Sequence, residues 1–202
     1  MTRRPVVALF GPAGAGKTLV RQILATLGAA TLDFDDYSRV LLVPGSPEFE
    51  QVRRELGEGY LCPDGTLDRS AVGQRVFRDP EARARLEATV HPAMLALLRR
   101  DVAAFRAQPS APALVVEGAL LGRLATPGLF DAVVLVTAPA EVRLQRLQQR
   151  GARSLESARQ LVALHQELGL SAGPADFVLD TGGSPDEVRE QVRQLWPRLL
   201  SS

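Results

Sequence analysis

A chain of 202 residues with 46% hydrophobic and 23% charged residues is long enough for one domain with a real core. Its net charge of +1 argues against a dedicated nucleic-acid binder, and its one cysteine, Cys62, excludes an intrachain disulfide and fits a reducing compartment. No apolar run is long enough to span a bilayer and the Arg3-Arg4 start lacks a signal peptide's apolar stretch, so a cytoplasmic protein without membrane partners is expected.

The apolar run Val6–Phe10 predicts a buried strand, and Gly11-Pro12-Ala13-Gly14-Ala15-Gly16-Lys17-Thr18 follows it directly. Those eight residues fit the phosphate-loop pattern G-x-x-x-x-G-K-[ST] at every fixed position. Glycines let the backbone curl so that successive N–H groups face phosphate oxygens. Lys17 supplies a point charge for the outer phosphates, and the Thr18 hydroxyl is a candidate Mg²⁺ ligand. Leu19, Ile23, Leu24 and Leu27 then repeat at helical spacing, so the loop opens a helix whose N-terminal dipole adds to the site. The chain is therefore expected to bind ATP with Mg²⁺.

Gly28 suits the end of that first helix, and Ala30-Thr31-Leu32 reads as a second strand. It runs into Asp33-Phe34-Asp35-Asp36, at a strand end where ligands bind in open α/β sheets. Asp33 is the candidate catalytic carboxylate, whereas Asp36 reads as the cap of the next helix. Residues 38–110 read as a mostly helical insertion: a helix over Glu48–Leu56, a turn at Asp64-Gly65, a helix capped by Asp68, and another beginning at Asp79-Pro80. Apolar residues continue at helical spacing to Phe105, with Pro92 expected to kink or break the run just after His91. His91 alone is compatible with a ligand-facing residue or a structural one.

Ala113–Val116 is a third strand ending at Glu117, where a second Mg²⁺-associated carboxylate is expected, and Ala132–Val136 is a fourth. Arg143, Arg146 and Arg150 then share one helix face, which suits either phosphate contacts or a solvated basic surface. A lid-like helix over Leu155–Leu168, a fifth strand at Phe177–Leu179, a loop at Thr181–Ser184 and a final helix over Asp186–Leu200 complete the chain.

These residues together resemble the dephospho-coenzyme A kinase family. The ordered matches are the phosphate loop, Leu27-Gly28-Ala29, Asp33-Phe34-Asp35, Arg39, Pro44-Gly45, Asp64–Arg69, Val76-Phe77, Leu86-Glu87, His91-Pro92, Glu117, Leu120-Leu121, Arg146-Leu147, Arg150, Ala175-Asp176 and the loop after Asp180. The resemblance implies a P-loop kinase α/β sandwich, with a five-stranded parallel sheet in the order 2-3-1-4-5. It implies one domain over 1–202, with a substrate-binding insertion at about 38–110 and a lid at about 151–174. The implied reaction is ATP- and Mg²⁺-dependent phosphorylation of the ribose 3′-hydroxyl of dephospho-coenzyme A by a monomer or small homo-oligomer.

Catalytic roles fall by position on Asp33, Lys17, Arg146 and Arg150, and cofactor contacts on Gly11 to Thr18 and on Thr181, Gly182 and Gly183. Substrate contacts fall on Asp35, Arg39, Arg69, His91 and Glu117, and the metal on Thr18. The sequence departs from the family pattern at Ala119 and Arg123, where a proline and a carboxylate are usual, at His165, where glutamine is usual, and at Thr181, where asparagine is usual. On these grounds two alternatives stand beside the main reading: a kinase of another hydroxyl acceptor, and a non-catalytic nucleotide-binding protein.

Overall fold

Continuous Val- and Leu-rich runs such as Val6–Phe10 can pack on both faces, which is what a parallel strand inside an α/β sandwich requires. The computed structural model of the protein, which describes residues 4–108, 110–124, 126–149, 155–170 and 173–202, shows this arrangement. The elements in order are β1 (Val6–Phe10), α1 (Lys17–Thr26), β2 (Ala30–Asp33), α2 (Phe34–Leu41), α3 (Pro47–Leu56), α4 (Arg69–Arg78) and α5 (Pro80–Ala107). Then come β3 (Leu114–Glu117), β4 (Ala132–Thr137), α6 (Ala140–Gln149), α7 (Leu155–Glu167), β5 (Phe177–Asp180) and α8 (Pro185–Leu200). The strands form one five-stranded parallel sheet in the order β2-β3-β1-β4-β5, as the resemblance implied.

The chain divides into two compact units, one of Met1–Asp33 with Val102–Ser202 and the other of Phe34–Asp101. In the first, Val7 and Leu9 of β1 join Val20, Ile23 and Leu24 of α1 and Val188, Val192 and Leu199 of α8 in one buried core. Helix α8 starts with a reciprocal cap: the Ser184 side chain accepts from the Glu187 N–H, and the Glu187 carboxylate accepts from the Ser184 N–H. These Ser184 contacts hold the Glu187 carboxyl below its ordinary pKa, so the cap's contribution is present above that range and fades on acidification.

Phe10, the last residue of β1, is buried, and a Cβ added to Gly122 would stand 2.4 Å from two of its ring carbons. Gly173 borders the same ring. Gly122→Ala is therefore expected to lower stability by about 1–3 kcal/mol, the usual range for overpacking. Chemical denaturation would measure this, and a wild-type midpoint would mean the ring can move aside.

In the second unit, the Asp68 side chain caps α4 by accepting from the Ser70 and Ala71 N–H groups, both at 2.9 Å. The preceding turn needs Gly65 at φ +81°, in the left-handed region. Tyr37 of α2 donates its hydroxyl to Asp101 of α5 at 2.8 Å, and burial followed by this bond raises the phenol's pKa. Two sequence expectations are corrected here. Helix α2 begins at Phe34, so Asp36 is not its cap; Asp35 and Asp36 lie in the first turn, where their charge meets the helix dipole. Helix α5 also runs unbroken for 28 residues with Pro92 inside it. Pro92 is exposed, while Val90, Met94 and Leu98 are buried on both sides of it, so packing holds the helix through the lost hydrogen bond.

Candidate active site

The parallel register brings the strand ends together. Asp33 of β2 is level with Glu117 of β3, and Glu117 is level with Leu9 of β1, two residues before Gly11. Neighbouring strands lie about 4.8 Å apart, so Glu117 starts one strand from the strand that enters the phosphate loop and Asp33 two strands from it. The loop turns into α1 at Gly16, whose φ is +85°. No side chain caps this helix and its first turn carries no acidic residue. Its N-terminal amides are those that an anion satisfies in a phosphate loop.

The outer rim of the loop is held through its carbonyl groups. Arg143 Nε donates to the Ala13 oxygen at 3.0 Å, Arg146 donates to the Gly14 oxygen at 3.3 Å, and the Thr181 hydroxyl donates to the Ala15 oxygen at 2.7 Å. A trans peptide sets its C=O and N–H on opposite sides. The clamps on Ala13 and Ala15 therefore turn the Gly14 and Gly16 amides away from the rim, while the Ala15 amide closes a turn onto Pro12 at 3.2 Å. Space at the rim is tight as well. A Cβ on Gly11 would lie 2.1 Å from the Val136 oxygen, and one on Gly14 would lie 2.7 Å from the Arg143 oxygen.

Inside the loop, the Lys17 ammonium donates to the Gly11 oxygen at 2.9 Å and to the Pro12 oxygen at 3.2 Å. Thr18 donates its hydroxyl to Glu117 Oε1 at 3.1 Å, and Arg21 donates Nε to Glu117 Oε2 at 2.7 Å. Glu117 is buried and thus carries its charge between a helix cation and a hydroxyl. Arg21 is absent from the sequence reading, although it lies three residues beyond Thr18 on α1; a strand-end carboxylate needing a cation was the available signal. Glu117→Gln should lower stability by about 1.5–3 kcal/mol, because Arg21 loses a charge-assisted partner. A shifted urea midpoint with an unchanged slope would register this, and an unchanged midpoint would remove the pair from the account.

The other candidate residues fall as follows. Arg146 also donates to the Thr181 hydroxyl at 2.9 Å and to the Thr181 carbonyl at 2.6 Å, and Thr181 is fully buried. Its hydroxyl thus ties the phosphate loop to β4 and α6, while Gly182 and Gly183 continue the loop towards α8. Arg143 is buried, which depresses its pKa, and one terminal nitrogen, Nη2, has no hydrogen-bond partner. The Ala13 N–H donates to His165 Nδ1 of α7 at 2.8 Å. Arg123 is exposed in a turn after β3, and Arg150 lies outside the described residues. In the second unit, Arg39 is exposed and pairs with Asp36, Arg69 donates to the Ser38 carbonyl at 3.2 Å, Asp35 is exposed and His91 is half-buried on α5. Among the described residues, no group of three or more His, Cys, Asp or Glu side chains is arranged to hold a metal ion.

Comparison with known proteins adds sequence likeness to this geometry. Residues 5–186 match the family model described as dephospho-CoA kinase. The dephospho-CoA kinase of Syntrophotalea carbinolica is 37% identical over 195 residues, covering 96% of this chain and 92% of its own. That of Symbiobacterium thermophilum is 39% identical over 191 residues, covering 95% and 80%. Among solved structures, a Thermus thermophilus protein aligns with a TM-score of 0.74 at 26% identity over 98% of both chains. The dephospho-CoA kinase from Campylobacter jejuni shares the fold, with a TM-score of 0.59 at 22% identity over 98% of both chains.

Proposed function

We propose how the site works from one premise: the chain belongs to the dephospho-CoA kinase family. It is an enzyme of that type, carrying out the ATP-dependent phosphorylation of dephospho-CoA to CoA. In our reading ATP lies with its phosphates in the loop of Gly11 to Thr18, against the Gly14 and Gly16 amides and the first turn of α1. The Lys17 ammonium, now on the Gly11 and Pro12 carbonyls, turns to the outer phosphates when they arrive.

Asp33 accepts the proton of the ribose 3′-hydroxyl as that oxygen forms its bond to the γ-phosphorus. The bond from the γ-phosphorus to the bridging oxygen breaks, and ADP carries away the electron pair. Arg146 keeps the loop and Thr181 in register during the transfer, and Arg150 is assigned to the transferred phosphoryl group from the family pattern. The side chains suited to Mg²⁺ are Thr18, through its hydroxyl, and Glu117, through its carboxylate. They offer only oxygen donors, which fits a cation that keeps water and phosphate oxygens for most of its shell. When bound, Mg²⁺ offsets the negative charge of the phosphates.

The adenine side of ATP is assigned to the loop of Thr181, Gly182 and Gly183; Thr181 supports that loop from within, since its side chain is buried. The unit of residues 34–101 is proposed as the acceptor-holding insertion, through Asp35, Arg39, Arg69 and His91, and residues 151–174 as the lid. Arg69 reaches the carbonyl beside Arg39, which groups two cations suited to an anionic substrate. The partners are then two small molecules, ATP and dephospho-CoA, with no nucleic acid or membrane and a monomer or small homo-oligomer at work. The lone thiol of Cys62 suits a reducing cytoplasm, and no helix among the described residues is long and apolar enough to cross a membrane.

The observation that carries the reading is the placement of Asp33 and Glu117 side by side at the ends of the two strands that flank β1 on one side, where β1 enters the braced loop. A coupled ADP-release assay with Mg-ATP, run with and without dephospho-CoA, tests it. Acceptor-dependent ADP release with CoA identified by mass is expected. ATP binding with no acceptor-dependent turnover would overturn it.

A further inference from the structure

We propose that His165 is a positioning residue for the phosphate loop, holding the Ala13 N–H from α7 while Arg143 holds the Ala13 carbonyl from α6. The two bonds measure 2.8 Å and 3.0 Å, and they engage both backbone polar groups of one residue. The side chains come from 152 and 130 positions further along the chain. Neither bond belongs to a helix, a strand or a turn, so local structure does not account for them.

The carbonyls of Ala13, Gly14 and Ala15 are all gripped by side chains, so their rim is fixed through its acceptors. A rim held only through carbonyls could still tilt about the chain axis. The imidazole supplies a second hold on the same residue through its N–H, and the two holds on the peptide planes either side of its Cα remove that freedom. Nδ1 accepts, so the proton of the neutral ring sits on Nε2. Arg143 is one-directional by necessity. It is 5% exposed and its Nε is used on the Ala13 carbonyl, and a guanidinium carries donors only, so it cannot accept the Ala13 N–H in place of the imidazole.

The role deepens the proposed function and rests on it, because the loop so fixed is the one assigned to ATP. An amide held by His165 before the nucleotide arrives makes residue 13 a strut, and the ordering of the loop is complete in advance of binding. The imidazole touches neither substrate in this account. It acts through the backbone.

The protein has two histidines, His91 and His165, so ¹⁵N-histidine labelling of the wild type reads the ring directly. The expected signature is a neutral His165 with its proton on Nε2 and with Nδ1 accepting. A proton on Nδ1 would overturn the proposal with no variant needed. His165→Ala and His165→Gln are then compared by Mg-ATP titration without acceptor and by steady-state kinetics. His165→Ala should weaken Mg-ATP binding and raise the KM for ATP about fivefold, the worth of one ordinary hydrogen bond. Its kcat and its KM for dephospho-CoA should stay at the wild-type values. His165→Gln, whose amide oxygen accepts the same N–H, should restore the ATP constants to within about twofold of wild type. His165→Ala binding Mg-ATP as tightly as wild type, or His165→Gln as weakly as His165→Ala, would overturn the role. Failure of the wild type to phosphorylate dephospho-CoA would count against the proposed function alone, since neither the ring signature nor the ATP titration involves the acceptor.

Discussion

Asp33→Asn should leave Mg-ATP binding within about twofold of wild type and lower turnover by about 10²–10⁴-fold, the usual worth of a general base. Asparagine keeps the size and polarity of the side chain at the end of β2, so the register with Glu117 and the start of α2 at Phe34 need not change. What it removes is the oxygen able to take a proton from the acceptor hydroxyl. The measurement is paired: calorimetry for ATP and single-turnover chemistry for the transfer. Full activity in Asp33→Asn would show that the proton leaves by another route. A loss of ATP binding equal to the loss of turnover would make Asp33 a structural or metal-site residue.

Lys17→Ala should reduce kcat/KM for ATP by about 10²–10³-fold, the scale seen when one preorganised charge or donor is removed from a transferring group. Lys17 already sits in the loop, donating to the Gly11 and Pro12 carbonyls, so phosphate competes with two hydrogen bonds for the ammonium. Lys17 is also the only lysine in the sequence. Selective lysine labelling would therefore give one side-chain ammonium resonance, and its response to Mg-ATP would report this exchange directly. An unshifted resonance together with unchanged kinetics in Lys17→Ala would remove the residue from the site.

The parts of the molecule legible in the sequence are those written in short spacings. The eight-residue loop, the apolar runs of β1, β3 and β4, and caps such as Asp68 and Ser184 each depend on neighbours within a few positions. Positions at the ends of strands were legible too, because a parallel sheet gathers those ends, and so Asp33 and Glu117 could be singled out. Contacts between a side chain and a distant backbone group were not. Nothing periodic marks His165 as the acceptor for Ala13 or Thr181 as the buried partner of Ala15. The arginine face of α6 was visible as a face. That Arg143 and Arg146 grip carbonyl groups of the loop depends on where α6 packs, which spacing does not encode. A kink or break was expected at Pro92 and no break occurs, because local rules weigh one missing hydrogen bond and omit the buried residues on either side.

The holds on the phosphate loop also set an order of events during synthesis. Gly11 to Thr18 are made before the groups that hold them: Arg143, Arg146, His165 and Thr181 follow 130 to 166 residues after the groups they engage. At ordinary elongation rates of about 5–20 residues per second, the loop waits about 10–30 s for Thr181 to be made. Until then the Ala15 carbonyl has no Thr181 clamp, and a nascent chain that carries the whole nucleotide motif lacks the complete rim that shapes it. A loop whose own motif spans eight residues is thus finished only by side chains made more than a hundred residues later.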